Sequence, residues 1–316
     1  MSAADSSPLP PLPPRDPRGH KGTFGTVVIV GGCAGSSADG ASGRLMIGAP
    51  ALAATAALRC GCGLAKMVVP APIAAAAITL CPSATGVPVA VDPTGEMIAS
   101  EAAAVMDEQF AAAQAIVVGP GMGGGQSVRA VALRCVQQEE CPVVVDADAI
   151  NALAEVPELW RDFKAAAVLT PHPGEYRRLA DRLNIRADPT ETKDRPRAAE
   201  LLAQRLGCIV ALKGAGTVVS DGQRTWINTS GGSVLATAGT GDVLAGLVAG
   251  LSAQFVSLGS RRAPTKPLDL YDATRIAVHA HGLAAELWAQ RHRAGAGMLA
   301  MELADLLPEV LWAQDR

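Results

Sequence analysis

Residues 115–154 have the sequence AIVVGPGMGGGQSVRAVALRCVQQEECPVVVDADAINALA, and the fold prediction rests on this stretch. Apolar runs at 115–118 and 143–145 predict buried strands over 115–118 and 143–146, and helical patterns follow them at 126–138 and 149–154. A strand that is apolar throughout and leads into a helix is typical of a parallel sheet covered on both faces. The stretch therefore predicts an α/β fold.

The same alternation of strands and helices continues along the chain in both directions. Further strands are predicted at 26–30, 64–69, 166–170 and 209–213, with a hairpin of 218–220 and 225–228 around Asp221-Gly222. Helices are predicted at 44–59, 101–113, 175–182, 196–206, from 242 onward and at 272–290. We therefore predict one α/β domain over 19–316, with a mostly parallel central sheet flanked by helices on both faces and a surface loop at 259–267.

Residues 1–18 differ in composition from the rest of the chain. They are rich in Pro and Ser, with polyproline character at 8–14, and they lack the apolar segment of a signal peptide. A segment with so few core-forming side chains is predicted to be a disordered Pro-rich tail. A ligand for SH3-type domains is the alternative.

The overall composition argues against several classes of protein. The net charge of −3 gives no electrostatic case for binding nucleic acid. Residues 67–91 carry no charge, but four prolines interrupt them, so we predict no membrane span. Seven cysteines without a C-x-x-C pair predict reduced thiols and a cytoplasmic protein. The sequence also lacks a G-x-S-x-G elbow, and GGCAGSSADG at 31–40 replaces G-x-G-x-x-G, which disfavours α/β-hydrolases and Rossmann dehydrogenases.

Unusual sequences follow several of the predicted strands, where ligands of open α/β sheets bind. KGAGT at 213–217 suits a phosphate or ribose, or is a simple turn. Asp146 and Asp148 suit a metal–phosphate site, or cap the next helix. His172, fixed between two prolines, suits a ligand contact or a helix cap. The unusual sequences that follow predicted strands are Gly31-Gly32, Gly119-Pro120-Gly121, Asp146-Ala147-Asp148, TPHPGE at 170–175 and KGAGT.

A glycine-rich turn, ATAGTGD at 236–242, precedes the apolar helical pattern at 243–251. The free N–H groups and the dipole of a helix start suit a phosphate. Gly239 and Gly241 permit close approach of the backbone to a ligand. Asp242 would place a carboxylate beside the bound anion, which indicates a base for phosphoryl transfer; the alternative is an ordinary helix start capped by Thr240 or Asp242.

In this order, the motifs resemble those of the ADP/ATP-dependent NAD(P)H-hydrate dehydratases, a family with the ribokinase-like fold. The resemblance covers residues 20 to 313. The motifs that carry it are HKGTFG at 20–25, GAPALA at 48–53, GPG at 119–121, DADAIN at 146–151, TPHPGE, KGAGT, AGTGD at 238–242 and HGLA at 281–284.

The resemblance implies a hydro-lyase of metabolite repair that uses ADP or ATP and Mg²⁺. It implies phosphorylation of the ring hydroxyl in the S epimer of NADH hydrate or NADPH hydrate, followed by elimination of phosphate. Asp242 matches the catalytic base, and Glu175 matches a residue that helps to organise magnesium indirectly. The nucleotide contacts implied are Lys213, Gly214, Ala215, Gly216, Thr217 and Gly241, and the substrate contacts are Ala49, Gly121, His172 and Asp242.

The resemblance also implies a homo-oligomer and a functional link to a separate NAD(P)H-hydrate epimerase. We expect no epimerase domain here, because few residues precede the first motif. The run Gly232-Ser233-Val234-Leu235 departs from the family, which commonly has a proline there, so the backbone is expected to differ. The alternatives are a vitamin-precursor kinase of the same fold, disfavoured by TPHPGE with KGAGT, and a non-catalytic nucleotide-binding regulator, disfavoured by Asp242.

Overall fold

The computed structural model describes residues 5, 7–35, 44–258 and 267–312. Within these ranges nine strands form one sheet in the order β11-β10-β9-β8-β7-β6-β1-β4-β5, and β2 pairs with β3 in a separate ribbon. The strands are β1 (Thr26–Val30), β2 (Cys33–Ala34), β3 (Leu45–Met46), β4 (Leu64–Pro70), β5 (Thr85–Val89), β6 (Ala115–Val118), β7 (Val143–Val145), β8 (Ala167–Leu169), β9 (Ile209–Leu212), β10 (Val218–Ser220) and β11 (Thr225–Ile227).

Helices cover both faces of the large sheet. Alternate residues of β1 point to opposite sides: Val27 and Ile29 join one buried cluster, and Val28 and Val30 join the other. Helices α1, α2 and α8 to α10 contribute to the first cluster, and α3 to α7 to the second. The helices are α1 (Gly48–Arg59), α2 (Ala74–Leu80), α3 (Ala99–Phe110), α4 (Gln126–Gln137), α5 (Ala147–Leu153), α6 (Pro173–Leu183), α7 (Arg195–Leu206), α8 (Thr240–Phe255), α9 (Leu270–His292) and α10 (Ala300–Trp312).

The sheet is parallel except at one edge, where β10 pairs antiparallel with β9 and with β11. All the pairs from β9 across to β5 are parallel. This confirms the predicted mostly parallel sheet with helices on both faces, and the hairpin around Asp221-Gly222.

The order of the strands reverses at β1. The chain passes from β1 to β4 and β5 on one side, and then returns to β6 on the other side of β1. At this switch point the Gly32 N–H donates to the Pro120 carbonyl at 2.9 Å. A crevice at such a switch point is the usual place for a ligand in open α/β sheets.

Helix α8 is apolar all round and almost entirely buried, as expected of a helix inside a large core. Glycines allow it to lie directly against α1: a Cβ on Gly246 would collide with the carbonyl oxygen of Ala53, and a Cβ on Gly250 with the sulfur of Cys60. This packing fixes the position of the α8 start, where the ATAGTGD motif lies.

The predicted helix at 44–59 is wrong at its beginning. Leu45–Met46 forms β3, which pairs antiparallel with Cys33–Ala34, and α1 starts at Gly48. Pro50 explains the later start, because proline lacks a backbone N–H and fits the first turn of a helix but not its interior.

Two elements after β4 were not predicted. Helix α2 begins directly after a short 3₁₀ turn that contains Pro72, and β5 contains Pro88. Strand β5 is at the edge of the sheet and pairs with β4 alone among the described strands, so a proline is tolerated there. The predicted loop at 259–267 lies outside the described residues except for Pro267. No helix in the described part of the chain is long and apolar enough to cross a membrane.

The described part of the N-terminal segment makes contacts with the domain. The N–H of Asp5 donates to the Thr225 carbonyl at 2.6 Å. The Arg15 guanidinium donates to Gln254 at 2.6 Å and to the Gly61 carbonyl at 2.8 Å, and it lies 3.7 Å above the Phe24 ring. The disorder of residues 1–18 and the start of the domain at residue 19 stay predictions. The contacts of Asp5 and Arg15 with the domain have to be consistent with both.

Candidate active site

The start of α8 has free backbone donors. Its N-cap residue is Gly239, at a φ of +91°, and no side chain of the described chain caps this end. The Thr240 hydroxyl instead donates to the carbonyls of Leu235 and Thr237, each at 2.9 Å. This helix therefore has no ordinary side-chain cap. The Thr240 N–H donates to the Thr237 carbonyl at 3.4 Å, and the N–H groups of Gly241 and Asp242 donate to no described residue and are available to an anion.

Asp242 lies in the first turn of α8 in a setting that favours its protonated form. Burial raises the pKa of its carboxyl to about 7, and the carboxylate of Asp146 adds to the effect while Lys213 opposes it. A carboxyl that titrates near neutral pH can accept a proton and also release it, which is what a general base requires.

Lys213 supplies the positive charge at this helix start. Its Nζ is 2.7 Å from Asp146 Oδ1 and 3.9 Å from Glu175 Oε2, and it approaches Gly241 closely enough to touch an added Cβ at 3.5 Å. Burial disfavours the charged ammonium, but Asp146 and Glu175 outweigh it and raise the pKa of Lys213 above its ordinary value. The ammonium group is therefore a fixed cation.

Asp146 holds this lysine in place. The residue is only 1% exposed, and Oδ1 also accepts a 2.6 Å hydrogen bond from the Thr170 hydroxyl. It occupies the N-cap position of α5, but its side chain makes no capping bond. Positioning Lys213 is a role of Asp146 that the sequence did not suggest. Asp148 accepts from the Gly123 N–H at 2.8 Å, and burial raises its pKa.

The TPHPGE stretch forms a capped helix start. His172 Nδ1 accepts from the N–H groups of Gly174 and Glu175, at 2.9 and 3.3 Å, and Glu175 Oε2 accepts from the His172 N–H at 2.8 Å. His172 therefore caps α6 through Nδ1, and its predicted contact with the substrate stays a prediction. Burial, helped by Lys213, lowers the pKa of His172, while burial raises the pKa of Glu175 to about 7.

A buried arginine supports the KGAGT loop from below. The Arg195 guanidinium, in a residue only 6% exposed, donates to the Leu212 carbonyl at 2.9 Å and to the Lys213 carbonyl at 3.3 Å. Gly214 lies against it at a φ of +143°, where an added Cβ would be 3.0 Å from the guanidinium. Arg195 was not predicted, because nothing in its local sequence separates it from a surface arginine in a helix.

A cavity of about 520 Å³ opens beside the loop and the α8 start. It brings together all six residues predicted to contact a nucleotide. The short 3₁₀ turn Ser233–Leu235, which contains most of the run that departs from the family pattern, forms part of its wall. The residues that line the cavity include Lys213, Gly216, Gly241, Leu244, Val278 and His281.

The residues predicted for the substrate lie around the switch point and the base. Gly121, at a φ of +64°, is so close to α1 that an added Cβ would be 3.1 Å from the Cβ of Ala49. The positive charge of Lys213 acts on both His172 and Asp242, and it lowers the pKa of each. No described group of three or more His, Cys, Asp or Glu residues is arranged to hold a metal ion.

The chain is similar to proteins of known activity over most of its length. The model of the NAD(P)H-hydrate dehydratase family matches residues 40–309. The bifunctional NAD(P)H-hydrate repair enzyme of Salinibacter ruber is 39% identical over 268 residues, which cover 83% of this chain and 45% of that protein. The chain spans about half the length of the curated relatives that it matches.

Solved structures agree with this comparison. The ADP/ATP-dependent NAD(P)H-hydrate dehydratase of Bacillus subtilis, co-crystallised with ATP/Mg²⁺, superposes with a TM-score of 0.71 at 31% identity, and covers 95% of this chain and 93% of its own. A ribokinase-like superfamily protein of Enterococcus faecalis gives a TM-score of 0.70 at 24% identity, covering 95% and 91%. The second likeness shows the fold alone, and that fold is the ribokinase-like one that the motifs implied.

Proposed function

Because this chain belongs to the NAD(P)H-hydrate dehydratase family, we propose that it restores NADH and NADPH from their hydrates in a nucleotide-dependent reaction. The proposed substrate is the S epimer, in which water has added to the nicotinamide ring. A hydro-lyase of this kind repairs damaged cofactor. The proposed location is the cytoplasm, and the buried thiols of Cys60, Cys62, Cys81, Cys135 and Cys208, none of which is in a disulfide, support it.

One observation carries the proposal: Asp242, with a pKa raised to about 7, lies beside Lys213 at an uncapped helix start that borders the cavity. In the first step, Asp242 accepts the proton of the ring hydroxyl as the hydroxyl oxygen attacks the terminal phosphoryl group of the nucleotide. The bond from that phosphorus to the bridging oxygen breaks, and ADP leaves from ATP, or AMP from ADP. Lys213 and the N–H groups of α8 stabilise the charge that develops on that phosphoryl group.

The second step restores the ring. The ring carbon–oxygen bond breaks, and phosphate leaves with the bonding electrons. A proton is lost from the neighbouring ring carbon, and the electrons of that C–H bond form the carbon–carbon double bond of the reduced nicotinamide. Placement of Ala49 and Gly121 at the switch point supports a ring site next to Asp242, where the hydroxyl can reach the phosphoryl group in line.

We extend the proposal to ADP or ATP and Mg²⁺ as cofactors, since the Bacillus subtilis relative was co-crystallised with ATP/Mg²⁺. Magnesium bound with a nucleotide usually takes one or two carboxylates, with phosphates and water completing its shell. The buried carboxylates of Glu175 and Asp146 beside Lys213 fit such an ion, because they leave most of its ligands to the nucleotide. Glu175 would hold it indirectly, and the ion would neutralise phosphate charge.

The proposal includes the partners of the reaction. Relatives named as bifunctional repair enzymes suggest a functional link to an epimerase that converts the other epimer of the hydrate. Assembly of this chain into a homo-oligomer stays a prediction.

Incubation of the purified protein with NADH hydrate, Mg²⁺ and either ADP or ATP tests the function. Recovery of the near-ultraviolet absorbance of reduced nicotinamide is expected only when nucleotide is present, and the same protein without nucleotide is the control. If a stable phosphorylated hydrate accumulated instead, the kinase alternative would be correct. Absence of both products with both nucleotides would contradict phosphoryl transfer.

A further inference from the structure

Helix α9 places a histidine in the wall of the nucleotide cavity. His281 is 9% exposed, and it lines the cavity together with Gly241 and Leu244 from α8. The helix packs tightly against the segment that contains Ser230, since an added Cβ on Gly282 would collide with Ser230. The ring of His281 is therefore held on a rigid element and is not on a mobile loop.

The protonation of this ring is fixed by its neighbour. His281 Nε2 is 2.8 Å from the carbonyl oxygen of Thr240. A carbonyl oxygen can only accept, so Nε2 carries the hydrogen and donates it. Burial lowers the pKa of His281 to about 4, and Lys213 adds to this effect, so the ring is neutral at pH 7. Nδ1 consequently has a free lone pair and no hydrogen.

His281 differs in this respect from the other histidines, all of which lie in the described part of the chain. Nδ1 accepts from the Gly22 N–H in His20 and from the Gly174 N–H in His172. Nδ1 contacts Asn228 in His279 and the Trp288 carbonyl in His292. The Nδ1 of His281 has no such contact with a described residue. It is a preformed acceptor in a site where the protein leaves it unused.

The other residues of the cavity wall restrict which ligand group can form a hydrogen bond with His281 Nδ1. Leu244 and Val278 are apolar, and Lys213 with the α8 start already provides for phosphates. A lone pair repels a phosphate oxygen, so the missing partner is a hydrogen-bond donor. A nucleotide carries two kinds of such donor, the ribose hydroxyls and the exocyclic amino group of adenine.

We infer that His281 selects the nucleotide by accepting a hydrogen bond at Nδ1 from one of these donors, with its tautomer set by the Thr240 carbonyl. This inference rests on the proposed function, since it takes the cavity as the nucleotide site. Thr240 begins the helix that carries Asp242, so the bond also ties the nucleotide to the helix of the base.

Calorimetric titration of the intact protein with ADP and three analogues tests the inference. The analogues are 2′-deoxy-ADP, 3′-deoxy-ADP and the diphosphate of purine riboside, which lacks the amino group. One of them is expected to bind the wild type about 2- to 10-fold more weakly than ADP, as for one lost hydrogen bond. The analogue that shows the loss identifies the donor.

Two substitutions separate the acceptor from the rest of the ring. His281→Gln keeps a donor near Thr240 but has no acceptor at the place of Nδ1, so it should bind ADP and the discriminated analogue equally. His281→Asn places an amide near Nδ1 and should restore part of the discrimination. His292→Gln, on the exposed end of the same helix, is the matched control and should behave as the wild type.

The outcomes distinguish this inference from the proposed function. If the wild type binds ADP and binds all three analogues with the same affinity as ADP, the inference is wrong and the nucleotide site stands. The inference is equally wrong if the analogue penalty persists unchanged in His281→Gln. If neither ADP nor ATP binds the wild type, the nucleotide site itself is wrong.

Discussion

Replacement of Asp242 by Asn should stabilise the protein at alkaline pH while it removes activity. The pKa of this carboxyl is raised from 3.8 to about 7, mainly by burial. Between these two values the folded protein keeps a proton that the unfolded chain has lost. Stability contributed by this group therefore falls as the pH rises from about 4 to about 7, and it is constant above that.

The size of the effect follows from the same values. Each pH unit in this window costs roughly 1.4 kcal/mol of unfolding free energy. From pH 5 to pH 8 the wild type should lose about 3 kcal/mol through Asp242, and Asp242→Asn should lose none of it. The difference between the two proteins across this interval does not depend on how well asparagine packs, because packing is the same at both pH values.

Urea denaturation of both proteins at pH 5 and pH 8 measures this difference. Asp181→Asn, a change in an exposed aspartate of α6, is the control for the loss of one negative charge and should follow the wild type. If the stability gap between Asp242→Asn and the wild type is the same at both pH values, Asp242 does not have the raised pKa on which its role as a base depends.

Four further predictions concern other parts of the site and the N-terminal segment. Gly214→Ala should reduce the rise in melting temperature caused by ADP, because the Cβ meets Arg195 at a strained φ; Gly295→Ala, with open space around it, should not, and an equal rise in both would place the nucleotide elsewhere. Arg195→Met should lower stability by about 1–3 kcal/mol and weaken ADP binding, since buried carbonyls lose their donor, whereas a loss of stability with unchanged ADP affinity would refute its support of the loop. For the wild type, kcat/KM should fall as the pH drops through about 7, and a flat profile from pH 5 to pH 8 would exclude a base with this pKa. Arg15→Ala should cost about 1–2 kcal/mol of unfolding free energy, and an unchanged melting temperature would favour the predicted solvated tail.

The fold was predictable from local sequence to the extent that buried strands and helices have distinct periods. The strands β1 and β6 match their predicted bounds, because each is a short apolar run that ends at glycine. The order of strands in the sheet was not predictable, since it depends on pairing between distant segments. Strand β5 and helix α2 were missed because proline, usually a breaker, is tolerated at a sheet edge and just before a helix.

The candidate site shows the same division. Lys213, Gly241 and Asp242 could be found because glycine-rich turns at strand and helix ends are visible as motifs. The partnership of Asp146 with Lys213 could not, since 67 residues separate them and only the parallel order of β7, β8 and β9 brings them together. Arg195 had no local signal at all, because its function depends on burial.

The fate of the ring oxygen tests the central claim most directly. A hydrate prepared in H₂¹⁸O carries the ¹⁸O label in its ring hydroxyl. Mass spectrometry can follow this label during the reaction with ATP and Mg²⁺. If Asp242 activates this hydroxyl for attack on the nucleotide, the label must leave in inorganic phosphate as NADH forms, and Asp242→Asn should release almost none. Formation of NADH with unlabelled phosphate and labelled water would contradict phosphorylation of the ring hydroxyl.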